Sequence, residues 1–139
     1  IYMVTLGGEG FLYRLDTETG AWTVVRSMDN RDATGLFHDP EARRLLIPMG
    51  PMLQIQSLDS GVVEEVPIEV ANFAGLTDLF DPGNRPAPPL RILAAAGDTL
   101  LLLAVSQYIF PDTPDLGAAY RMWSYDLATG DARLLAYGS

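Results

Sequence analysis

The chain has 139 residues, 48% of them apolar, with 18 acidic side chains against nine basic ones and no cysteine. One domain or part of one is expected at this length; the net charge of −9, with all nine cations arginine and no basic stripe, excludes nucleic acid as a partner. No apolar run approaches 18 residues, so no membrane span is expected, and the lack of thiols removes disulfides, thiolate catalysis and Cys-ligated zinc while fitting any redox compartment.

In chain order, short strands alternate with turns in three units. The first unit has strands at 2–6, 11–15 and 22–26. The second has them at 34–38, 44–48, 53–58 and 62–67, and the third at 90–95, 99–106, 120–125 and 132–136. The strands at 44–48 and 99–106 are apolar at successive positions, which suits a strand covered on both faces.

The units share a turn. It reads Leu15-Asp16-Thr17-Glu18-Thr19-Gly20, then Leu58-Asp59-Ser60-Gly61, then Tyr125-Asp126-Leu127-Ala128-Thr129-Gly130. Asp and Gly suit such turns for local reasons: Asp caps its own turn and Gly supplies positive φ. Asp16 and Asp59 are 43 residues apart, and Asp59 and Asp126 are 67 apart. Taking these aspartates as equivalent also aligns Leu15, Leu58 and Tyr125, and Leu12, Ile55 and Met122. The longer spacing is explained by two insertions, at 77–89 and 108–119. The first contains DLFDPGNRPAPP, with four prolines, and the second FPDTPDLG. Proline gives no ladder donor, so neither forms a central strand.

A unit of about 40–50 residues is the period of a four-stranded propeller blade. The expected fold is therefore all-β: a β-propeller segment of about three four-stranded antiparallel blades, the first incomplete. The blades fall at 1–26, 34–67 and 90–136 of a single incomplete domain. Four to eight blades close a propeller, and Ile1 falls within a strand. Further blades are expected from the same longer chain or from a second copy.

The first unit resembles a Kelch repeat. Gly7-Gly8, Tyr13 and Trp22 match its Gly pair, its tyrosine and its tryptophan, with Asp16 six residues before Trp22. The other two units depart from the pattern: the second has no Trp, and Trp123 of the third sits one strand early. Those Kelch residues are structural, so the resemblance implies a propeller fold and no catalytic site. Copper-radical oxidases on Kelch blades need a Cys–Tyr cross-link that this chain cannot form.

The single His38, without a His or Cys partner, reads as a strand residue rather than a metal ligand. Asp29, Asn30 and Asp32 lack the Gly and distal Glu of a calcium loop. Gly7-Gly8-Glu9-Gly10 lacks the Lys and following helix of a phosphate loop. No cofactor or metal set is read.

The insertions carry the candidate ligand-binding residues: Phe80, Asp81, Asn84 and Arg85 in the first, and Tyr108, Phe110, Asp112 and Asp115 in the second. In an antiparallel meander these two connections leave from the same end of the strands, opposite the Asp–Gly turns. Elaborated loops over a rigid scaffold are where binding residues concentrate. The expected function is a binding module for a carbohydrate, peptide or protein partner. The alternative is a fragment of a propeller enzyme of glycosidase, lactonase or lyase type. Its carboxylates and arginines would come from Glu9, Asp29, Arg31, Asp78, Asp81, Arg85, Asp112 and Asp115, none at a diagnostic acid–base spacing.

Overall fold

The computed structural model describes residues 1–5, 9–29, 33–76, 90–108 and 117–138. Apart from a 3₁₀ turn at Val70–Asn72, their regular structure is all strand, and no helix among them is long and apolar enough to cross a membrane. The strands form three antiparallel sheets of three, four and four strands. The first holds β1 (Tyr2–Val4), β2 (Glu9–Leu15) and β3 (Trp22–Asp29). The second holds β4 (Phe37–Asp39), β5 (Arg44–Met49), β6 (Met52–Ser57) and β7 (Val63–Pro67). The third holds β8 (Leu90–Ala96), β9 (Thr99–Tyr108), β10 (Gly117–Asp126) and β11 (Ala132–Gly138). Each strand pairs with its chain neighbour, so every sheet is a meander.

The strand boundaries move by up to three residues from expectation, and two of these shifts bear on the fold. The strand expected at 34–38 is regular only at Phe37–Asp39, with an isolated bridge from Ala33 to Met49. The Pro48 carbonyl accepts from Thr34 N–H, so the side of Pro48 that lacks a donor faces this strand, and the ladder breaks there. The second insertion, expected as loop over 108–119, begins and ends in strand. Tyr108 pairs with Gly117, Gln107 with Ala118 and Ser106 with Ala119, so the hairpin is extended before it opens.

The turns correct one alignment. Asp16, Ser57 and Asp126 each accept the backbone N–H of the glycine four residues on, and each donates to the carbonyl five residues on. Ser57, not Asp59, is therefore the equivalent of Asp16 and Asp126. Asp59 instead accepts from the Arg43 guanidinium at 2.7 Å. The shift is by two residues, so every side chain keeps its face. We call the face carrying Tyr13, Gln54 and Trp123 the front, and the face carrying Leu12, Leu53 and Met122 the back.

The chain divides into two compact units, Ile1–Pro67 and Ile68–Ser139. In the first, the back of the first sheet packs on the front of the second. Leu12 and Met28 meet Ala33, Leu45 and Ile47, flanked by Tyr2, Val4, Leu36, Met49 and Leu58. Burying each large aliphatic side chain here contributes roughly 1.5–3 kcal/mol. Arg26 crosses the seam, its Nε donating to Gln56 Oε1 at 2.8 Å and its Nη2 to Gln54 Oε1 at 2.9 Å. Burial pulls this guanidinium below its ordinary pKa, and Glu65 acts against that.

In the second unit the segment after β7 covers the front of the third sheet. Ile68, Phe73 and Leu76 are buried. The Phe73 ring stands edge-on to Trp123 at 5.4 Å and stacks on Tyr125 at 5.5 Å. Trp123 Nε1 donates to the Ala74 carbonyl at 3.0 Å, which satisfies its one polar atom, and Asn72 Nδ2 donates to the Gly130 carbonyl at 2.9 Å.

Candidate functional site

The Asp–Gly turns are satisfied from within. Asp16 Oδ1 accepts the N–H groups of Glu18 and Thr19, and Asp126 Oδ1 those of Ala128 and Thr129, all at 2.9–3.1 Å. The Thr19 and Glu18 N–H groups hold the Asp16 carboxyl below its ordinary pKa. In the second sheet the Ser57 hydroxyl does the same work for Ser60 N–H. These carboxylates act as turn caps, and Gly20, Gly61 and Gly130 have φ of 72–76°, where a Cβ is strained.

His38 presents its ring edge to Tyr2 at 5.3 Å, across the seam of the first unit. Beside it, Asp39 is buried, and its Oδ2 accepts from Arg44 Nε at 3.0 Å. Burial alone would raise this carboxyl, but the Ala42 N–H and the Arg44 guanidinium outweigh it and hold the pKa below its ordinary value. Among the described residues, no group of three or more His, Cys, Asp or Glu could hold a metal ion.

Two clefts open at the turn end of the first unit. One, of about 280 Å³, lies between the sheets, with Tyr2, Arg14 and Thr23 facing Gln56 and Ser57. The other, of about 350 Å³, is lined by Arg44, Ile55, Ser57, Ser60 and Glu64. Arg14 lines the first beside the Ser57 hydroxyl, whereas in the second the Arg44 guanidinium is already engaged by Asp39.

Of the eight residues expected to bind ligand, Phe80, Asp81, Asn84, Arg85, Phe110, Asp112 and Asp115 lie outside the described residues, and Tyr108 is the last residue of β9. Arg31 and Asp78 also lie outside them, as do Asn30 and Asp32. Glu9 and Asp29 are register partners at one end of the first sheet. In the third sheet Leu90, the first residue of β8, pairs with Ala104, four residues before the end of β9. The chain therefore enters β8 and leaves β9 at the same end of the sheet, while the turn between Asp126 and Gly130 lies at the other.

The segment 68–76 matches no strand or turn pattern in the sequence. Its signal was the burial requirement of Trp123: an apolar residue in a sheet with an indole N–H needs both a cover and an acceptor, and Phe73 and Ala74 supply them. Compared with known proteins, the chain matches no family model, no curated protein and no solved structure.

Proposed function

We propose that the chain is part of a β-propeller-type binding module, Kelch-like in its first unit, that recognises a carbohydrate, peptide or protein partner through the segments 77–89 and 108–119. One observation supports this above the rest: β8, which follows 77–89, begins at the same end of the third sheet at which β9 and β10 flank the second segment. The turn end is made of short, internally capped turns, whereas the opposite end carries the long connections. In sequence the two segments carry Phe80, Tyr108 and Phe110 as residues able to stack, and Asp81, Asn84, Arg85, Asp112 and Asp115 as residues able to hydrogen-bond. Aromatic area with a few polar groups is the usual composition of a recognition rim.

The test uses glycan and peptide arrays as probes. The chain is expected to retain a subset of probes that a variant lacking 112–116 does not, with both proteins melting at nearly the same temperature. Equal retention by the variant, or lost stability with intact retention, would overturn the reading.

A further inference from the structure

We propose that the front face of the first sheet is a docking surface for a second copy of this chain, which it engages through the back face of that copy's third sheet. The corrected alignment makes Ile1, Leu45 and Leu100 equivalent, and likewise Met3, Ile47 and Leu102, since each pairs with an equivalent residue of the next strand. In the second and third sheets these front positions are at most 2% exposed. In the first sheet Ile1 is 68% and Met3 43% exposed. Phe11, Trp22 and Val24 are exposed on the same face. Phe11 and Tyr13 lie 5.9 Å apart with rings inclined at 60°, and Tyr13 and Trp22 lie 6.3 Å apart at 89°. Rings set at such angles make an interlocking surface rather than a flat platform. A contiguous apolar face of this kind marks an interaction site.

The occupant follows from the one seam seen in the first unit, where a back face sits on a front face. The third sheet offers a back face of the same build. Leu101, Leu103 and Met122 on it are half-buried, and Val105 and Tyr120 are exposed. It repeats the back of the first sheet in detail. Both carry a bulge at the same place, after Leu12 and after Met122. The first sheet sets Gly10 beside Met28, and the third sets Tyr120 beside Gly138, so the large and small residues are exchanged across the strands. The Tyr120 ring lies where a Cβ on Gly138 would stand, 2.5 Å from one of its carbons.

The two faces also differ from the known seam in a matched way. In that seam Arg26 of the back face meets Gln54 and Gln56 of the front face. On the back of the third sheet the equivalent of Arg26 is Ala136, the partner of Met122. On the front of the first sheet the equivalents of the two glutamines are Tyr13 and Leu15. At this one position a cation facing two amides is thus replaced by a small apolar residue facing an aromatic and an aliphatic one, while Arg91 and Arg133 stand elsewhere on the same back face, as the register partners of Leu103 and Ser124. A front face and a different back face on one chain form a head-to-tail contact between copies, which closes into a ring or runs on.

Analytical ultracentrifugation of the 139-residue chain tests this directly. The mass is expected to rise with concentration from one chain to two or more. Val24→Glu on the front of the first sheet and Val105→Lys on the back of the third alter exposed positions, so both variants should melt as the parent does at low concentration. Each alone is expected to stay monomeric. Mixed, they should associate again, because the mixture retains one unaltered front face and one unaltered back face. A chain that stays monomeric throughout, association indifferent to both substitutions, or a mixture that stays monomeric would each overturn the proposal.

Discussion

Replacing Phe73 by alanine tests the cover over the third sheet. Phe73 is 2% exposed, and it touches two aromatic rings, one edge-on and one stacked. Truncating a buried Phe costs about 3–5 kcal/mol. Two aromatic pairs at roughly 0.5–1.5 kcal/mol each account for part of this, and lost apolar burial for the rest. Urea unfolding followed by fluorescence suits the measurement, because the chain has two tryptophans in opposite settings: Trp123 is fully buried and Trp22 is 52% exposed. In Phe73→Ala the unfolding transition of the second unit should move to lower urea by the equivalent of about 3–5 kcal/mol. The native emission should shift to the red as water reaches Trp123. Phe73→Leu should recover much of the stability. A loss under about 1 kcal/mol with unchanged emission would refute the claim that this segment seals the face.

The other predictions concern turns and ionisable groups. Gly20→Val and Gly130→Val force a β-branched residue to φ above 70° and should each cost roughly 1–3 kcal/mol in a thermal melt, with no change in array binding. Asp39→Ala removes the carboxylate from a largely buried guanidinium and should cost about 3 kcal/mol in chemical denaturation. The folded-state pKa of Asp39 lies below its ordinary 3.8, so its stabilisation is complete above that value and is lost as the pH falls through the folded one; Asp39→Asn should flatten that acid limb. Burial, then Glu69 and Asp126, raise the Tyr125 hydroxyl above its ordinary 10.0. Its contribution is therefore full below that value and is lost as the pH rises through the folded one, a slope that Tyr125→Phe should remove.

The strands were legible because local signals and pairing agree: Asp or Ser begins each turn, Gly takes positive φ, and apolar residues alternate or run between them. The alignment at Asp59 failed because the same turn can be capped by a hydroxyl. Ser57 takes that role, and Arg43 captures the nearby carboxylate. The break at Pro48 could be read only once the side of its carbonyl was known, since a proline is harmful only where a donor is needed. The packing of Phe73 on Trp123 joins residues 50 positions apart with no periodic pattern to announce it. The matched exchange of Arg26, Gln54 and Gln56 for Ala136, Tyr13 and Leu15 needed the register before the pairs could be compared.

The shared end of the two long connections is the claim on which the functional reading rests, and spin-label distances measure it. The chain has no cysteine, so pairs placed at will are labelled cleanly. One pair joins Arg85→Cys to Asp112→Cys, and the other joins Asp112→Cys to Ala128→Cys. β10 spans ten residues, so its two ends lie about 30 Å apart at 3.3 Å per residue, which is the separation expected of the second pair. The distance between positions 85 and 112 is expected to be clearly shorter than that between 112 and 128; an equal or longer one would contradict a shared end.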